Sequence, residues 1–141
     1  MIKKLSITAL LILFILVSTS FAAQQSPAQM VETFFGMIQQ GKISQAYDQL
    51  LVNSSIPTSK PQAVQLLKTQ TQNALTLYGN ILGVDKIHEE QVGKSIVRLV
   101  YVLKLEVVPT AWEFYFYKPK SVWFLANITF NDQFNGLESK K

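Results

Sequence analysis

Apolar and polar residues follow three successive patterns along this chain. Residues 5–17 (LSITALLILFILV) are uncharged and mostly apolar. From Ser26 to Tyr78, apolar residues recur every three or four positions, and after Gly83 the period falls to two. The first spacing places side chains on one face of a helix, the second on one face of a strand.

Ser26-Pro27 supplies an N-cap followed by a proline suited to the first helical position. Met30, Phe34, Met37 and Ile38 then share a face, with Val31 and Phe35 beside them, and Gly41 ends the helix as its C′ residue. A second short helix is predicted over residues 44–51, striped by Ala46, Tyr47, Leu50 and Leu51. Asn53-Ser54-Ser55 and Ile56-Pro57 read as loop. A third helix is predicted over residues 59–78, capped by Ser59 with Pro61 in its first turn. Val64, Leu67, Thr71, Ala74, Leu75 and Tyr78 form its apolar face, with Leu66 and Leu77 at the margins.

Strands are predicted over residues 84–91, 95–108, 111–118 and 121–131. The first carries five ionisable residues and reads as an edge, because edges tolerate charge. Pro119-Lys120 reads as a turn. Pairing Lys104 with Glu113 and Lys118 with Ser121 gives a register in which Leu99, Tyr101, Leu103, Leu105, Trp112, Phe114, Phe116, Trp123 and Leu125 face the helices. Asn127 and Thr129 lie on that same face, near the end of the last strand. The opposite face carries Val100, Val102, Tyr115, Tyr117, Val122, Phe124, Ala126 and Ile128, a contiguous patch that predicts a homodimer through Tyr115, Tyr117, Val122 and Phe124.

The first pattern is an address rather than a fold element. A basic start (Lys3-Lys4), a short apolar run and a small-x-small ending at Ser20 and Ala22 make a secretory signal peptide, predicted to be cleaved after Ala22. The run is shorter than the roughly 20 residues that span a bilayer. The expected organisation is a leader over residues 1–22, one domain over 23–131 and a flexible tail over 132–141, with the protein periplasmic or secreted. No cysteine is present, so no disulfide supports the domain. About +2 of net charge remains after the leader, and the basic residues are dispersed, which argues against a nucleic-acid partner.

Motifs that carry chemistry are sparse. His88 is the single histidine, no metal-ligand spacing or Gly-x-Ser-x-Gly elbow occurs, and no metal or cofactor is expected. His88 and Asp48 are the weak acid–base candidates, with Asp48 expected to point to solvent and Arg98 to form an outer-face ion pair. A pocket mouth is expected where Tyr47, Tyr78, Tyr101 and Trp112 approach the polar Asn127 and Thr129.

Two stretches resemble a known superfamily. VETFFGMIQQGKISQAYDQL, with Gly41, Ala46 and Tyr47, looks like the opening of the nuclear-transport-factor-2-like (SnoaL-like, cone-shaped) superfamily, and KSVWFLANITF, with Trp123, looks like its closing strand. The resemblance covers about residues 27–131. It implies three N-terminal helices packed on a curved antiparallel sheet of three to four strands, an α+β cone with a pocket between the layers, a layout that cystatin-like domains partly share. Such a fold serves binding proteins and enzymes alike. The sequence names no reaction. The expectation is an exported binding or assembly module for a small apolar ligand or an envelope protein. The alternatives are a cone-type isomerase or lyase, and a structural subunit of an envelope complex retained by an uncleaved leader.

Overall fold

The computed structural model describes residues 23–134 and Leu137. The leader and most of the expected tail lie outside the described residues. Four helices precede four strands: α1 (Pro27–Gln39), α2 (Ile43–Leu50), α3 (Ile56–Ser59), α4 (Pro61–Tyr78), β1 (Ile81–Val92), β2 (Ile96–Leu105), β3 (Thr110–Tyr117) and β4 (Phe124–Asn131). The strands form one antiparallel sheet in sequential order β1-β2-β3-β4. The architecture is α+β.

The caps of α1 follow from its end residues. The Ser26 hydroxyl accepts from the Gln29 N–H while the Gln29 side chain accepts from the Ser26 N–H, a reciprocal capping box. At the other end the Gly41 N–H donates to Ile38 and the Lys42 N–H to Met37, with Gly41 at φ 74°. That pair of bonds is a Schellman motif, and the positive φ is why glycine stands there. The third predicted helix starts later than Ser59, and the stretch at Ile56-Pro57 expected as loop is itself a one-turn helix. Residues 56–59 form their own turn, and α4 starts at Pro61 after Lys60, without a side-chain cap from Ser59. Proline disfavours helical geometry in the residue before it, which explains the break at Lys60.

The core lies between the helices and one sheet face. Val31, Phe34, Phe35 and Ile38 of α1, Ala46, Tyr47 and Leu50 of α2, and Val64 of α4 meet Val97, Leu99, Tyr101, Leu103 and Leu105 of β2. Trp112, Phe114 and Phe116 of β3, with Leu125 and Ile128 of β4, complete it. Among the described residues, every member of the buried core falls between Val31 and Ile128.

The strand register differs from the expected one. Leu99 stands opposite Phe114 and Tyr101 opposite Trp112, so Lys104 does not face Glu113. The cause is the end of β2. Leu105 still pairs with Ile81 of β1, and beyond it the Glu106 and Val107 N–H groups donate to the carbonyls of Asn80 and Tyr78. Those residues close the C-terminal end of α4 instead of turning tightly into β3. Lys104 pairs across β1 with Asp85 at 3.0 Å. The slip is four residues, an even number, and each β2 and β3 residue keeps its expected face.

The last hairpin carries a second correction. Its loop is longer than the predicted two-residue turn, and β4 begins only at Phe124. Leu125 pairs with Phe116 and Asn127 with Tyr115, leaving Ala126 as an extra, unpaired residue. That bulge reverses the facing of everything after it. Ile128 and Phe130 point to the helices, whereas Asn127 and Thr129 stand opposite Tyr115 and Glu113 on the outer face.

Candidate binding site

The space between helices and sheet is filled by aromatic rings. Phe34 meets Tyr47, Trp112 and Phe114 edge-on at centroid distances of 5.1–6.0 Å, and Phe35 meets Tyr101 at 5.6 Å. Tyr47, Tyr101 and Trp112, expected at a cavity mouth, are buried core side chains. Tyr47 hydrogen-bonds Thr71 at 2.8 Å, and burial pushes its phenol well above the usual range. Tyr101 has a buried hydroxyl with no hydrogen-bond partner among the described residues; burial first, then Glu32 and Glu89, push it up to about 12.

An open cleft of about 370 Å³ lies instead beside α4, where β3 begins and β4 ends. Helix α4 contributes Gln70, Asn73, Ala74, Leu77 and Tyr78, one stripe at three- and four-residue spacing. The sheet contributes Thr110, Phe130 and Asn131, and Asp132 follows directly. The floor is rigidly built. The Trp112 indole N–H donates to Thr110 Oγ1 at 2.8 Å, and the indole stacks on Phe130 at 4.2 Å with an 11° interplanar angle. The Tyr78 hydroxyl donates to the Asp132 carboxylate, which raises the tyrosine's pKa. Among the described residues, Asp132 is the one charged group in the lining. The arrangement offers an apolar ring, several amide donors and acceptors, and one carboxylate.

A second, larger hollow of about 860 Å³ lies where the described chain begins. Ala23, Gln24, Gln25, Met30, Gln49, Val52, Asn53, Ser121, Val122 and Trp123 line it, and none of them is charged.

Of the expected site residues, Tyr78 alone lines the cleft; Trp112 supports its floor from below. The bulge at Ala126 carries Asn127 and Thr129 away from it. Asp48 is exposed on α2 and pairs with Lys68 at 2.7 Å. His88 lies on β1, with β2 and β3 between it and β4, and its Nε2 is 3.7 Å from Glu90. On the same outer face Arg98 makes two bonds to Glu113, at 3.1 and 3.2 Å, and comes within 3.6 Å of Glu90. This is the outer-face ion pair expected of Arg98, although the guanidinium is 3 % exposed rather than solvated. Tyr115, Tyr117 and Phe124 sit on this face, with the Tyr117 and Phe124 rings edge-to-face at 5.6 Å, whereas Val122 belongs to the loop before β4.

Sequence reasoning missed Gln70, Asn73, Thr110, Asn131 and Asp132. The stripe of Gln70, Asn73 and the exposed Leu77 beside the apolar face of α4 was the available signal. Asp132 gave none, because it follows the last strand. Among the described residues there is no group of three or more His, Cys, Asp or Glu placed to hold a metal, and no helix long and apolar enough to cross a membrane. No family model, curated protein or solved structure matches this chain.

Proposed function

We propose that this protein is an exported binding module of the cone-shaped, nuclear-transport-factor-2-like type, and that its ligand seat is the cleft between α4 and the ends of β3 and β4. The observation that carries the reading is the cleft lining, an aromatic floor at Phe130 ringed by amides and closed by Tyr78 and Asp132. The leader-like sequence supports export. Asp48 and His88 stand outside the cleft, and the carboxylate that does line it, Asp132, is exposed and already accepts from Tyr78, so binding is favoured over an isomerase or lyase. The lining selects an amphipathic molecule rather than a purely apolar one. A flat apolar part would rest on Phe130, and a hydrogen-bond donor, best a cationic amine, would meet Asp132.

Phenethylamine is a suitable probe. Titrated into labelled protein and followed by amide NMR shifts, it is expected to bind with a Kd of about 1 mM, near −4 kcal/mol. Shifts should gather at Asn73, Thr110 and Asn131. Replacing Asp132→Asn should weaken binding about tenfold, the loss of one hydrogen bond to a charged group. Shifts gathered elsewhere, or indifference to that substitution, would refute the site.

A second reading, compatible with the first, is a homodimer through the outer sheet face. It is favoured by the helices packing on the opposite face and by the exposed Tyr117 beside Phe124.

A further inference from the structure

We propose that the hollow at the start of the described chain, together with the loop between β3 and β4, is a docking surface for an anionic bilayer.

Three independent features converge there. The first is the apolar rim: Val52 and Val122 are 52 % and 42 % exposed, and the Trp123 ring lines the hollow with them. A tryptophan beside exposed aliphatic side chains suits the boundary between lipid headgroups and acyl chains. The second is charge. No acidic side chain lines the hollow, while Lys118 and Lys120 flank it in the loop. The Lys118 ammonium sits 4.7 Å from the centre of the Trp123 ring, so cation and aromatic occupy one spot. The nearest carboxylate in sequence to the other wall, Asp48, is engaged by Lys68. The third is the path of the chain. With its carboxamide oriented to match its neighbours, Gln24 donates to the Ser121 carbonyl at 2.6 Å and accepts from the Trp123 N–H at 2.5 Å. The chain is therefore fastened to this loop seven residues after Val17, the end of the apolar run. Six extended residues reach at most about 20 Å from Val17 to Ala23. For as long as the leader is attached and inserted, this face is held within that distance of the bilayer.

The bilayer is favoured over a protein partner because the surface combines two lysines with a shallow apolar strip. Each lysine near an anionic surface is worth about fivefold in partitioning. The contact is peripheral: the strip is far too short to span.

The test uses the chain from Ala23 onward, which contains every core residue found among the described residues and lacks the run that would insert by itself. It is mixed with vesicles of phosphatidylcholine containing about 30 mol% phosphatidylglycerol, or with phosphatidylcholine alone, at low salt and at about 0.5 M salt, where charge attraction is screened. Cosedimentation is expected with the anionic vesicles at low salt and to fall steeply at high salt. Trp123 should shift its emission to the blue and be quenched by brominated acyl chains; Trp112 is 1 % exposed and should not respond. Lys118→Ala with Lys120→Ala should lower partitioning about 25-fold. Val122→Asp, at an exposed loop position that leaves the core intact, should lower it as well. Absence of cosedimentation, equal binding to both vesicle types, or variants that bind like the parent would each overturn the proposal.

Discussion

The buried tyrosines show how one hydroxyl decides the sign of a substitution. Thr71 donates its hydroxyl proton to the Leu67 carbonyl at 2.8 Å, so the bond between Tyr47 and Thr71 must run from the tyrosine hydroxyl to Thr71 Oγ1. Thr71→Val removes the acceptor and strands a buried donor, at a cost of about 1–3 kcal/mol. Tyr47→Phe removes the donor and leaves the Thr71 proton satisfied, so it should cost less, about 1 kcal/mol. Tyr101 is the opposite case. Its buried hydroxyl has no partner among the described residues, so Tyr101→Phe should be neutral or stabilising by about 1 kcal/mol. Urea unfolding of the three variants orders them. A Tyr101→Phe protein less stable than Thr71→Val would mean that the Tyr101 hydroxyl has a partner, such as a buried water. Both phenols are raised, so the neutral form is favoured in the folded state. Their contribution is complete below the ordinary tyrosine pKa of about 10 and is lost as pH climbs through the folded values.

At the scale of elements, faces were easier to read from the sequence than partners. Alternation fixes which residues of β2 and β3 point inward, and a four-residue slip leaves that assignment untouched. Leu99, Tyr101, Leu103 and Leu105 are buried as expected, although Tyr101 and Leu103 stand opposite Trp112 and Thr110 rather than Phe116 and Phe114, and Leu105 pairs only with Ile81 of β1. The register itself depended on where the tail of β2 goes. Glu106 and Val107 bond to the end of α4, a tertiary contact that no local pattern encodes. The bulge at Ala126 was illegible for a related reason. A small exposed alanine carries no signal of being extra, yet it decides whether Asn127 and Thr129 or Ile128 and Phe130 face the core. The candidate site inherits this. Its floor is Phe130, on the side the sequence had given to Asn127 and Thr129. Deleting Ala126 would restore strict alternation and drive Ile128 and Phe130 into solvent, two apolar side chains worth about 1.5–3 kcal/mol each. The deletion is expected to abolish cooperative thermal unfolding. If the protein unfolded instead at the parent temperature, the bulge would be at another position, and the cleft floor would need reassignment.

For the whole molecule, the open question the geometry addresses is whether two copies meet across the outer sheet face. Strands of 12, 10, 8 and 8 residues, spaced about 4.8 Å apart at about 3.3 Å rise, present a footprint of roughly 600 Å². Stable dimers bury about 800 Å² per partner. The middle of this face also carries Glu90, Arg98 and Glu113, and interface centres are depleted of charge. Any dimer built there gains its apolar contact from Tyr117 and Phe124 near the hairpin end, and so is weak. Sedimentation velocity over about 5–500 µM protein is therefore expected to show monomer at the low end and a reversible dimer at the high end, consistent with an interface below standard size. Tyr117→Glu should return the sample to monomer at every concentration, because it sets an unpaired charge against its own image across the two-fold axis. A single monomeric boundary at the highest concentration would remove the sheet-face dimer. A tight dimer indifferent to Tyr117→Glu would place the contact on another surface and leave the outer face, with its charged centre, to solvent.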